Sequence, residues 1–198
     1  MKKRSKGFTL VETITVLVII AILSTMLIVG IRGHRRAIKI AQTRLQFLQY
    51  ESAINRYFRY HGDLPTFFAE EELVSLADRR NSELFIKILS GAGPSGERLS
   101  NEEAAALNPK RRSFHQFTRD EFYRRKDGTV DNHVLADAFN NKNIFLIIEN
   151  PFDDDVIVPK EKFPESVRSH IKNEGITNPV VIFSVSEDGR TVLSNCFD

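Results

Sequence analysis

The sequence predicts an α+β protein in which one long N-terminal helix carries a small, sheet-containing domain. Residues 8 to about 60 hold no proline and pass from a continuous apolar stretch into an amphipathic one. His61-Gly62-Asp63-Leu64-Pro65 then offers a glycine suited to a left-handed cap, with a proline just beyond it. Strand-forming runs gather in the C-terminal half, at Ile144-Phe145-Leu146-Ile147-Ile148 and at Val180 to Ser186 ahead of Thr191-Val192-Leu193. Helix first and strands later indicates α+β rather than an alternating α/β order.

The apolar stretch is long enough to span a membrane. Residues 8–31 as a helix would extend about 36 Å at ~1.5 Å per residue, against a hydrocarbon core of ~30 Å. Lys2, Lys3, Arg4 and Lys6 precede it. A cleaved secretory signal would have a shorter apolar core of about 7 to 15 residues and a small-residue cut site, and neither is present. Glu12 sits a few residues inside the apolar run. An acid at a membrane centre costs roughly 2.5 to 3.5 kcal/mol, and less near an interface, so Glu12 calls for a functional partner. Orientation does not follow from charge, because Arg32, Arg35, Arg36, Lys39 and Arg44 on the far side rival the basic leader.

The expected divisions are residues 1–7 as a leader, 8–31 as the apolar helix, 32–62 as its amphipathic continuation and 63–198 as a globular domain. In the continuation, Ile38, Ala41, Leu45 and Leu48 form one apolar stripe, with Phe47, Ile54 and Phe58 on an adjoining one. Beyond the stop, two short helices are expected over Glu70 to Ala77 and Ser82 to Leu89, the second capped by Asn81. Ser100-Asn101-Glu102-Glu103 has the capping-box pattern before an alanine-rich helix that Asn108-Pro109 ends. Ser113 to Phe117 reads as extended, Asp127-Gly128 as a turn, and the two final β-rich runs as a hairpin around Glu187-Asp188-Gly189-Arg190.

The N-terminus resembles a known signal. Gly7-Phe8-Thr9-Leu10-Val11-Glu12 after a short basic leader looks like the class III signal of type IV pilins and type II secretion pseudopilins. That resemblance implies cleavage by prepilin peptidase between Gly7 and Phe8, methylation of the new amine on Phe8, and pairing of Glu12 with the terminal amine of a neighbouring subunit. It also implies a filament of like and related pseudopilins, an inner-membrane assembly platform as partner, and single-pass placement in the bacterial inner membrane with the C-terminal domain outside the cytoplasm. The implied fold packs the second half of the helix on a small antiparallel sheet. Within the domain, Tyr60 to Thr66, Asp137-Ala138-Phe139-Asn140-Asn141 and Phe183 to Gly189 resemble segments of G-type major pseudopilins; the middle one corresponds to their Asp-Pro-Trp-Gly-Asn run. The resemblance points first to a type II secretion pseudopilus subunit. A type IV pilus or DNA-uptake subunit, or a signal-anchored sensor or enzyme, are the alternatives.

Other chemistry is sparse. The leader's four positive charges exceed the chain's formal net charge of +2, so residues 8–198 are net acidic and the basic balance is no nucleic-acid signature. Cys196 is the single cysteine and permits no internal disulfide. Gly91, Gly93 and Gly96 match a dinucleotide-binding spacing, but a helix precedes them and Pro94 interrupts them, so a loop is expected. No cofactor is expected. Calcium is the one metal considered, with Asp153, Asp154, Asp155 and Asp188 as candidate oxygen ligands; by themselves they fall short of the six to eight oxygens calcium takes, and a solvated acidic turn is the alternative reading. Lys110-Arg111-Arg112 and Arg124-Arg125-Lys126, interleaved with aromatics, could grip single-stranded nucleic acid or form a solvated or subunit-facing patch; the second reading is preferred, and nucleic acid is not an expected partner. The five histidines are widely spaced and no nucleophile or metalloprotease motif occurs, so no enzymatic activity is expected.

Overall fold

Helix α1 spans Leu10–His61 in the computed structural model of the chain. The structure describes residues 10–63, 65–69, 73–149, 156–169, 171–186, 189 and 191–194, and their side chains outside 25–33, 66 and 69. The chain divides into two units, residues 1–39 and 40–198. The helix ends where the sequence places its stop: Gly62 is left-handed at φ 79° and its N–H reaches the Phe58 carbonyl at 2.8 Å.

Within the second unit, α1 buries Thr43, Gln46, Phe47, Tyr50, Ala53, Ile54, Tyr57 and Phe58. Of the two expected apolar stripes, the one with Ile38, Leu45 and Leu48 is exposed. The buried stripe is the adjoining one, widened by residues that read as polar. Its polar members have partners: Gln46 donates to the Ala136 carbonyl, and the Thr43 hydroxyl accepts from the Ala138 N–H. Those bonds remove the usual penalty for burying an amide or hydroxyl.

After α2 (Thr66–Ala69) comes β1 (Val74–Ser75), where a helix over residues 70–77 was expected. Val74 pairs with Leu146, and this sheet contact overrides the local helical pattern. Helix α3 (Arg79–Ser90) is capped three residues before the expected cap, Asn81. Asp78 is its N-cap and accepts from the N–H groups of Arg80 and Asn81, while the Asn81 amide donates to the Ser75 carbonyl. Gly91 closes α3 at φ 71°, so the glycine-rich segment begins as a helix cap. Helix α4 (Asn101–Leu107) carries the reciprocal Ser100–Glu103 capping box. The Lys87 ammonium and the Ser100 N–H both bond to Glu103 and lower its carboxyl pKa to about 2. Residues 113–117 form no strand.

The turn at Asp127-Gly128 joins β2 (Phe122–Arg124) to β3 (Val130–Leu135), an antiparallel pair the sequence pattern does not reveal. The main sheet adds β4 (Ile144–Ile148), β5 (Val180–Val185) and β6 (Thr191–Leu193), in the order β1-β4-β5-β6, antiparallel throughout. Period-two alternation divides it between two clusters. Ile144, Leu146, Val180 and Ile182 pack with the α1 stripe and with Phe85, Ile88 and Leu89 of α3. Ile147, Val181, Phe183 and Leu193 face the other way, against Val158, Phe163, Val167, Ile171 and Ile176. The segment holding those last residues, with the short α5 (Glu165–Arg168), therefore covers the second face. Burial on both faces explains why β4 and β5 read as continuous apolar runs. The result is an α+β fold of the pilin type, a long helix followed by a further helix and a small antiparallel sheet.

A buried polar network joins α1 to the chain after α4. The Tyr50 hydroxyl accepts from Gln46 at 2.9 Å and bonds to Glu121. Glu121 Oε2 lies 2.8 Å from His115 Nε2, and Oε1 accepts from the Thr118 N–H and hydroxyl. Burial opposes the Glu121 charge, but the bonds from His115 and the Thr118 backbone outweigh it and hold the carboxyl below the ordinary glutamate range. A depressed acid pKa contributes stability above the unfolded-state value of about 4.3 and loses it as pH falls toward the folded-state value. The denaturant midpoint should therefore drop on acidification below about pH 4.3, and Glu121→Gln should flatten that drop; an unchanged slope would remove Glu121 from the account. Separately, the buried Ser82 hydroxyl accepts from the Leu135 N–H at 2.8 Å. Ser82→Ala should cost about 1 to 3 kcal/mol in chemical denaturation by orphaning that donor.

Candidate processing and assembly site

Gly7 and Phe8, the expected cleavage and methylation residues, lie outside the described residues, as do Asp153, Asp154, Asp155, Asp188 and Cys196. Glu12 is described and stands in the first turn of α1. A carboxylate there is favoured by the partial positive charge of the helix N-terminus. Around it, Leu10, Val11, Ile14, Val16, Leu17, Val18, Ile19, Ile20, Ile22 and Leu23 are all exposed, so the helix is apolar on every side. Thr15, a polar residue in this stretch, donates its hydroxyl to the Val11 carbonyl at 2.9 Å and thereby satisfies itself within the helix. One carboxylate set in such a surface is a specific electrostatic marker, because an opposite charge brought alongside it in low dielectric is strongly attracted.

Among the described residues no helix is long and apolar enough to cross a membrane. Among the described residues there is also no group of three or more His, Cys, Asp or Glu placed to hold a metal ion.

The basic-aromatic segment separates into two populations. Phe114 is buried and packs against Tyr57, Tyr60 and His61, while Phe117 contacts Tyr50, Phe85, His115 and Phe122. These rings belong to the core. The cations stay outside: Arg125 pairs with Asp131 at 2.6 Å, and Arg112 lies over the Tyr60 ring at 4.4 Å. Arg56 and Arg59, which were not among the expected site residues, line the same surface as Arg112. Their three-residue spacing on the face of α1 away from the aromatic stripe was the available signal.

Asp137–Asn141 folds as a tight turn. The buried Asp137 accepts from the N–H groups of Phe139 and Asn141 and from the Ser184 hydroxyl, and Asn140 adopts a left-handed φ of 64°. Asparagine is among the few residues besides glycine that tolerate this conformation.

A family described as the prokaryotic N-terminal methylation motif matches residues 2–28. No curated protein and no solved structure matches the chain. The match takes in the basic leader, Gly7, Phe8, Glu12 and the apolar start of α1. The chain thus carries a type IV pilin-like prepilin signal, which implies processing by prepilin peptidase, anchoring through the N-terminal helix and assembly into a filament.

Proposed function

We propose that the chain is a structural subunit of a type II secretion pseudopilus. Prepilin peptidase cuts it between Gly7 and Phe8 and the new amine on Phe8 is methylated. Residues 8–31 hold the subunit in the bacterial inner membrane, and polymerisation on the inner-membrane assembly platform helps drive protein export. The reading is carried by the methylation motif over residues 2–28, set at the head of the 52-residue α1. The all-round apolar surface of residues 10–24 supports storage among lipid tails and then among neighbouring helices, since both surroundings demand the same side chains. The Asp137–Asn141 turn supports the G-type reading within the superfamily. In this scheme Glu12 guides assembly. A carboxylate near the membrane surface gains most when a cationic amine from the next subunit arrives beside it, and a subunit out of register would leave both charges poorly compensated. No catalytic step is assigned to the chain.

Glu12→Ala should insert normally and be trimmed normally, with intact mass showing loss of Met1 to Gly7, yet should fail to enter sheared filaments. Retention of the leader on the wild-type chain beside active peptidase would sink the processing scheme, and normal filaments from the variant would sink the pairing role. A strain lacking the chain should accumulate folded exoprotein behind the outer membrane. Intact export with lost piliation or lost DNA uptake would instead identify a type IV pilus or competence subunit.

A further inference from the structure

Arg56 and Arg59 of α1 and Arg112 of the 112–116 segment together line one surface groove, with two further depressions adjoining it at Arg56. All three are exposed, and among the described residues no carboxylate forms an ion pair with any of them. Glu51, which lines the same surface beside Arg56 and Arg59, accepts from the Asn178 amide at 2.8 Å. Two of the guanidinium groups are already held in place: Arg112 lies over the Tyr60 ring, and Arg56 donates to the Phe114 carbonyl. A planar fork fixed in advance loses less freedom when it grips a carboxylate or phosphate than a free side chain does.

The walls decide between those anions. Non-specific single-strand binding sites stack bases on open aromatic faces. Here Phe114 is 6% exposed, and Arg112 already covers a face of Tyr60. Beside the cations stands an exposed apolar side chain, Leu48, at 43% exposure. Cations next to an exposed leucine suit an extended chain that presents acidic and apolar side chains by turns.

We infer that this groove is a docking site for an acidic polypeptide segment, its carboxylates pairing with Arg56, Arg59 and Arg112 and its apolar side chains resting on Leu48. The inference does not depend on polymerisation, and its test reads binding rather than filament formation.

The probe is a labelled synthetic peptide with the sequence of residues 151–159, which places three aspartates beside Phe152 and Val156-Ile157-Val158. Fluorescence anisotropy with the full chain in non-ionic detergent should show saturable binding that weakens with added salt. Arg59→Gln with Arg112→Gln should weaken it about tenfold or more, leaving the Arg56 contact with the backbone intact. Arg80→Gln with Arg98→Gln, which removes the same charge from exposed positions elsewhere, should leave it unchanged. Absence of peptide binding, equal loss in both double variants, or tighter binding of an oligothymidylate of about twenty nucleotides would each overturn the proposal.

Discussion

The second half of α1 is both a wall of the core and a surface, and the division between these roles governs the domain. The stripe through Phe47, Tyr50, Ala53, Ile54 and Tyr57 meets Ile144, Leu146, Val180 and Ile182 of the sheet and the apolar face of α3 in one cluster. Fully burying each large side chain is worth about 1.5 to 3 kcal/mol, so this contact outweighs any single hydrogen bond in the domain. Its position on the helix also determines what stays outside. Ile38, Leu45 and Leu48 remain exposed because the core is built on larger, aromatic residues one stripe away.

The sheet solves a related problem on its other side. Each strand of a small antiparallel sheet has two faces, and α1 with α3 can cover only one. The region between β4 and β5, which reads as charged and proline-containing, contributes Val158, Phe163, Val167, Ile171 and Ile176 to the second face. Val158 and Ile176 bridge through reciprocal backbone bonds, which ties this cover to itself without a formal strand. The apolar residues in it are mixed with lysines, glutamates and prolines that interrupt any sustained strand or helix pattern.

Legibility followed the length over which a signal repeats. The long helix, its glycine stop, the Ser100 capping box and the strands β4, β5 and β6 rest on runs or fixed local chemistry, and the sequence announces them. Short pieces whose conformation is set by distant partners were not announced. Val74–Ser75 reads as helix and becomes a strand because β4 lies alongside; β2 and β3 are short and half polar. Asn81 reads as a cap, but Asp78 lies earlier and has an acceptor oxygen free to take it. Of the two apolar stripes on the second half of α1, the one through Phe47, Ile54 and Phe58 is buried, and Thr43, Gln46, Tyr50 and Tyr57 join it because each reaches a partner inside the protein. At the candidate site the reverse holds. The prepilin-type signal over residues 2–28 is legible through its resemblance to a known motif, whereas the Arg56–Arg59–Arg112 surface emerges only when two segments more than fifty residues apart come together.

The bonds that hold the helix to the domain also set an order of events. Gln46 waits for Ala136, 90 residues later, and Glu51 for Asn178, 127 residues later. The central strand β5 begins only at Val180. A chain made from its N-terminus can meet the α1 stripe with α3 early, but it lacks the sheet side of the same cluster until β5 has been added, and contacts of such separation close slowly. During that interval part of the aromatic stripe stays uncovered on one helical face, a surface prone to pair with the same face of another nascent chain. Early insertion of the leading segment into a bilayer would hold such chains apart while β5 and β6 arrive, giving the first thirty residues a role in the folding of the last twenty.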